Sequence, residues 1–204
     1  MDAVILCGGQ SRRMGRNKAF LPIVGRPLIE RQIEVLRRIF ERLLLVTRTP
    51  LEYEPHTKLW VRGERLKIEI VPDAQPGRGA MVGIYSGLLA VQGRSAFFVA
   101  CDMPFLNEGL IRHMIVLSAK HDVVIPQSPE GLEPTHAAYS KTCIAPMQAQ
   151  MAAGDLKIIN FFPQVNVCII TEEEIRRFDP SGLALVNINT EEEYKRYCAA
   201  RLQS

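Results

Sequence analysis

The sequence predicts a doubly wound α/β fold, a mostly parallel sheet with helices on both faces in a Rossmann-like, three-layer arrangement. Three observations lead there. Short apolar runs at residues 3–6, 43–47 and 96–100 read as buried strands, and residues 68–71 as a further strand. Segments with helical spacing of apolar residues separate several of these runs. Loops carrying glycine, proline and aspartate follow the runs at residues 7–18, 73–79 and 101–106. Alternation of strand and helix implies parallel pairing, because each return crossing needs a connecting helix.

The elements follow in order. Residues 3–6 form the first strand, and residues 20–24 a short strand-like piece ending at the turn of Gly25 and Arg26. Pro27 opens a helix, where its missing N–H costs nothing, and Leu28, Ile29, Gln32, Ile33, Val35, Leu36 and Ile39 continue it. Residues 43–47 are a second strand, residues 48–66 are irregular, and residues 68–71 are a third strand. An apolar helix over 80–91, a fourth strand over 96–100, a helix capped by Asn107, and a fifth strand over 123–126 come next. The remainder is less regular. It offers a strand at 135–140, helical material at 144–153, and a last strand at 183–189. Thr171 and Thr190, each followed by three glutamates, read as capping boxes, and the second opens a final helix to about residue 202.

A chain of 204 residues suits one α/β domain spanning 1–204. A net charge of +3 is too small to argue for nucleic acid. Five scattered cysteines with no Cys-x-x-Cys pair support neither a zinc site nor a disulfide framework, which points to a reducing cytoplasm. Asp2 precedes only a short apolar run, so no secretory signal is expected, and no run of about 18 apolar residues offers a membrane span.

The loop after the first strand is where the chemistry concentrates. Gly8 and Gly9 let the backbone bring N–H groups close to a ligand, and Arg12, Arg13, Arg16 and Lys18 surround them with positive charge. The spacing fits neither the P-loop nor the dinucleotide glycine pattern. Its place at the carboxyl end of a buried strand favours a polyphosphate site over an ordinary basic turn.

Asp102 ends another buried strand, and Pro104 stops that strand continuing. An ionised carboxylate there is costly unless it is paired or bound to a cation, and Mg²⁺ takes one or two carboxylates plus phosphate oxygens. The competing reading is a turn aspartate bonding its own backbone. Asp73 opens a Pro-Gly-Arg-Gly turn at the same sheet edge. Asn187 and Asn189 lie two apart and project from one face of the expected last strand, towards a polar ligand or towards the final turn. His136 reads as a structural histidine.

As a string, Leu-Cys-Gly-Gly-Gln-Ser-Arg-Arg-Met-Gly-Arg-Asn-Lys (residues 6–18) resembles the signature loop of nucleotidyltransferases, and most closely that of the molybdenum cofactor guanylyltransferases. Cys7 stands where that family has alanine, and Asn17 where it has aspartate. Cys-Asp-Met-Pro-Phe-Leu (101–106), the segment from Asp73 to Ile84, and Val-Asn-Ile-Asn-Thr (186–190) are similar to three further family segments, and Glu133 to Tyr139 to a looser one, in family order. Thr47 departs from an asparagine that contacts the nucleotide in many relatives, and Ala80-Met81 stands where Pro-Leu is usual.

The resemblance implies transfer of GMP from GTP to molybdopterin, or to its molybdenum-bearing form, with release of pyrophosphate. Leu6, Cys7, Gly8, Gly9, Lys18, Thr47, Asp73 and Asp102 would meet the nucleotide, and Asp102 would hold Mg²⁺. Lys18, Arg12 and Arg13 would stabilise phosphate charge, and Asn187 and Asn189 would meet the pterin. Cofactor-inserting proteins and molybdoenzymes would be its partners, with neither nucleic acid nor membrane involved. Gly8 favours guanine over the cytidylyltransferase pattern, which carries a side chain there. The competing readings are a cytidylyltransferase on the same pterin, another small-molecule nucleotidyltransferase, and a carrier of the finished cofactor. A carrier has no need of Lys18 and Asp102.

Overall fold

A computed structural model describes residues 1–8, 17–23, 25–61, 66–73 and 79–200. Its centre is a mostly parallel sheet. β1 (Asp2–Leu6) is fully buried and lies between two parallel neighbours, β4 (Arg42–Thr47) and β6 (Ser95–Ala100). Beyond β4 lies β5 (Lys67–Pro72), also parallel. On the other side of β6, β9 (His136–Ser140) runs antiparallel and separates it from β7 (Val123–Ser128). β10 (Val167–Ile170) closes that edge, parallel to β7. The order β10-β7-β9-β6-β1-β4-β5 is the expected doubly wound arrangement with one reversed strand inside it. Two short strands, β2 (Pro22–Ile23) and β3 (Arg26–Pro27), pair as a hairpin outside the sheet, and β8 (Gly131–Leu132) pairs with β7.

Helices cover both faces. α1 (Leu28–Leu36) and α4 (Glu108–Leu117) pack with the face that carries Ile5, Leu45, Phe97 and Val99. α3 (Ala80–Ala90) and α5 (Ile144–Ala152) pack with the opposite face, carrying Val4, Leu44, Val46 and Phe98. The alternation of neighbouring residues between two cores explains why the strands read as continuous apolar runs. Asn107 caps α4 by accepting from the Leu110 N–H, as its sequence position implied. Both capping boxes form. Thr171 opens α6 (Glu172–Phe178), and Thr190 and Glu193 bond reciprocally at the start of α7 (Glu191–Ala200).

Three expectations are corrected. Residues 48–66 are not simply irregular, because α2 (Pro50–Trp60) occupies most of the described part. Pro50 stands at a helix start, where proline is tolerated, and the fully buried Tyr53 anchors the helix despite Pro55 within it. Residues 183–189 join no sheet. Their backbone turns on itself, with Val186 N–H bonding Leu183 O, and their link to the sheet's rim is Ile188 N–H to Asp102 O at 2.9 Å. The edge place next to β7 belongs to β10, an apolar run with no interruption.

At the amino ends of the strands, one guanidinium joins three of them. Arg42 of β4 donates to Asp2 Oδ2 of β1 at 2.7 Å and to both carboxylate oxygens of Glu69 on β5, at 2.8 and 2.7 Å. The Arg42 guanidinium holds the Glu69 carboxyl below its usual range. Parallel strands have no tight turns to set their register, so this fork supplies a fixed reference.

α3 lies close on the sheet because of Gly87. A methyl group there would stand 2.6 Å from Phe98 Cε1 and 3.0 Å from Val4 Cγ1, both inside the core. Gly87→Ala is therefore expected to destabilise the fold by about 1–3 kcal/mol despite the better helix propensity of alanine. Denaturant unfolding measures this directly, and an unchanged midpoint would mean that α3 can move off the sheet freely.

Candidate active site

The carboxyl edge of β1, β4, β5 and β6 carries the expected ligand residues. Gly8 follows β1, Arg48 follows β4, Asp73 follows β5 and Asp102 follows β6. They line a cavity of about 310 Å³ together with Leu6 and Gly79. Backbone bonds extend past the strand ends and fix these loops, from Cys7 N–H to Val46 O, Asp73 N–H to Thr47 O, and Cys101 N–H to Leu6 O. Gly79 caps α3 with φ of 85°, a value that glycine adopts without penalty. Gly8 is not in the positive-φ region, and a methyl group there would reach Asp73 Oδ2 at 3.6 Å, an ordinary contact.

Asp102 is the electrostatic centre. Burial pushes its carboxyl above the usual range, while Lys18 opposes that shift with its ammonium 3.8 Å from Oδ2. The other oxygen, Oδ1, is buried and has no hydrogen-bond partner among the described residues. A bare, buried carboxylate oxygen at a cavity wall fits a divalent cation. No cluster of three or more ligating side chains exists among the described residues. A cation here would therefore rest on one carboxylate, with the remaining oxygens supplied by phosphates and water.

Two elements hold this pair in place. Lys18 lies in a 3₁₀ turn, Lys18–Phe20, and its ammonium also donates to Ile188 O at 3.2 Å and Asn189 Oδ1 at 3.3 Å. Gln32 of α1, fully buried, donates from Nε2 to Ala100 O at 2.7 Å and Met103 O at 2.9 Å, and so straps the turn that carries Asp102. A polar residue inside the apolar stripe of α1 was the sequence signal for this strap.

A second cavity, of about 560 Å³, has a separate lining. Asn187 and Asn189 both line it, on either side of the buried Ile188, so their common facing holds although no strand forms. Glu133 lies in its wall. Burial raises the Glu133 carboxyl, opposed by hydrogen bonds from Ser128 and Asn187. Sequence reasoning missed Glu133 and Arg48 as lining residues; a Glu-Pro step and a lone arginine after a strand carry little signal.

The remaining expectations sort plainly. Thr47 is fully buried, its hydroxyl accepts from the Thr49 N–H at 3.1 Å, and its two neighbours Val46 and Arg48 line the cavity. Cys7 is buried beside Cys101, whose thiol is pushed up by Cys7 first and by burial second; both behave as small apolar groups. Gly9, Arg12 and Arg13, with Arg16, lie outside the described residues, as does the 74–78 part of the Asp73 loop. No helix among the described residues is long and apolar enough to cross a membrane.

A family model described as a MobA-like NTP transferase domain matches residues 3–165. The chain belongs to that family. It is 35% identical to a molybdenum cofactor guanylyltransferase of Desulfosudis oleivorans, over 98% of this chain and 96% of that protein. It is likewise 35% identical to a probable molybdenum cofactor guanylyltransferase of Pelotomaculum thermopropionicum, over 92% and 86%. Among solved structures, the molybdopterin-guanine dinucleotide biosynthesis protein A of Archaeoglobus fulgidus superposes with a TM-score of 0.82 at 27% identity, covering 100% of each chain. Membership makes the chain a nucleotidyltransferase with the divalent-metal requirement usual for that chemistry.

His136 is a core residue. It is fully buried against the edge of Phe97, centroids 5.1 Å apart, and neither ring nitrogen has a partner among the described residues. Burial brings its pKa down from 6.5 to about 4, so the folded state holds it neutral. That stability is present above about pH 6.5 and is lost as pH falls towards 4, by at most about 1.4 kcal/mol per pH unit. His136→Leu should flatten the acid limb of a plot of Tm against pH. An unaltered limb would mean that His136 does not control acid unfolding.

Proposed function

We propose that this protein transfers GMP from GTP to molybdopterin, forming the guanine dinucleotide cofactor and pyrophosphate. One observation carries the reading. The Lys18 ammonium contacts a residue of each cavity, Asp102 in the smaller and Asn189 in the larger. A transfer between two bound substrates needs a cation at the seam, and Lys18 stands there.

In this reading GTP occupies the cavity of Gly8, Asp73 and Asp102, with its α-phosphorus near Lys18. The acceptor enters the cavity of Asn187 and Asn189 with its terminal phosphate directed at the seam. Asp102 would hold Mg²⁺, which when bound offsets charge on the triphosphate. Lys18 neutralises charge gathering on the phosphate oxygens, joined by Arg12 and Arg13 from the loop that Gly8 begins. The acceptor phosphate is ionised near pH 7, so the site requires positioning rather than a general base. The free thiols suit a reducing cytoplasm.

Asp102→Asn tests the role of the carboxylate. It should nearly abolish pyrophosphate release and weaken Mg²⁺-dependent GTP binding while the circular dichroism spectrum stays unchanged. Near-normal turnover would remove Asp102 from the reaction.

Base choice is tested at Gly8. Among the described residues a methyl group there meets Asp73 Oδ2 at 3.6 Å, an ordinary contact, so a loss in Gly8→Ala that depends on the base reports on the ligand. The expected result is a fall in kcat/KM for GTP of roughly tenfold to a hundredfold, with a much smaller fall for CTP. Equal losses with the two nucleotides would put base recognition elsewhere.

A further inference from the structure

Asn17 stands where the family resemblance leads one to expect an acid, and its contacts explain what the amide does. It caps the Lys18–Phe20 turn, its Oδ1 accepting from the Ala19 N–H at 3.1 Å. Its Nδ2 donates to Glu52 Oε2 at 2.6 Å and to Tyr53 Oη at 3.0 Å, both on α2. Phe20, at the other end of the turn, packs on Tyr53 and His56, with centroids 5.1 and 4.9 Å away. Tyr53 is fully buried, and Glu52 is exposed and lines neither cavity. The turn that carries Lys18 is thus tied to α2 at both ends.

An aspartate at position 17 could still accept from Ala19 and Tyr53. Its second oxygen would then meet the Glu52 carboxylate at hydrogen-bond distance, where two like charges cannot both ionise without cost. The amide turns that repulsion into a donor–acceptor pair. We propose that Asn17 is a positioning residue for Lys18, and that Glu52 is the partner that makes asparagine the working residue at this place. Glu52 acts through Asn17 and touches no substrate. This deepens the guanylyltransferase reading and rests on it for the identity of the phosphates that Lys18 meets.

The test uses the full chain with Mg²⁺ and two probes, GTP and inorganic triphosphate, with affinity measured by calorimetry. Asn17→Asp should weaken both by roughly tenfold at about pH 8, the scale of one lost charge-assisted hydrogen bond. Affinity should recover as pH is lowered, because the paired carboxylates then share a proton, and the wild type should show no such rise. Adding Glu52→Gln to Asn17→Asp should restore binding at about pH 8 to within roughly threefold of the wild type. Glu52→Ala, a surface change, should weaken triphosphate binding with no change in Tm. Unaltered affinity in Asn17→Asp or in Glu52→Ala overturns the proposal, as does a double variant no better than the single one or a wild type that binds neither probe. Pyrophosphate release with molybdopterin is read separately. A wild type that binds triphosphate but releases none would defeat the guanylyltransferase reading and leave the Asn17 result standing.

Discussion

Asp102 is obliged by its position to face inward. β6 lies between β1 and β9, so Asp102, two residues past its end, emerges at the rim half-buried. Its carboxylate has one ammonium 3.8 Å away and one oxygen with no described partner. Gln32 holds the turn from beneath, and Ile188 holds the Asp102 carbonyl from the side. Much of the rim is arranged so that this one anion stays desolvated and stays in place. A cation with its own phosphates completes what the protein leaves incomplete.

The sheet was legible because its central strands β1, β4 and β6 are buried on both faces, which leaves a nearly unbroken apolar run in the sequence. The loops were legible because glycine, aspartate and proline follow those runs at one edge. α2 was harder to read, since Pro50 and Pro55 signal irregularity while the burial that stabilises the helix comes from Tyr53 meeting distant residues. Residues 183–189 misled for a related reason. The apolar–polar alternation at 186–189 goes with a cavity wall that takes Asn187 and Asn189 and a core that takes Ile188, without a partner strand. The common facing of Asn187 and Asn189 holds because both line the cavity while Ile188 between them is buried. Glu133 and Arg48 emerge only once the chain has folded around them.

The departures from the family pattern differ in consequence. Cys7 fills the space of a small residue and is buried beside Cys101. Thr47 gives its hydroxyl to its own turn and leaves the cavity wall to Val46 and Arg48. Asn17 is different, because it exchanges a charge for a donor at a place where α2 supplies an acceptor. A substitution within the signature loop is thus read only with the helix that packs on it.

The Arg42 fork lies at the opposite end of the strands from all of this. The six residues of β4 run from Arg42 to the rim, roughly 20 Å of extended chain. At that separation two unit charges interact by only about 1 kcal/mol at an effective dielectric constant of about 20. Charges gained or lost around the ligands therefore leave the alignment of β1, β4 and β5 unperturbed. Such an arrangement lets a lineage rewrite what it binds at one end of the sheet while inheriting the scaffold's register unchanged from the other.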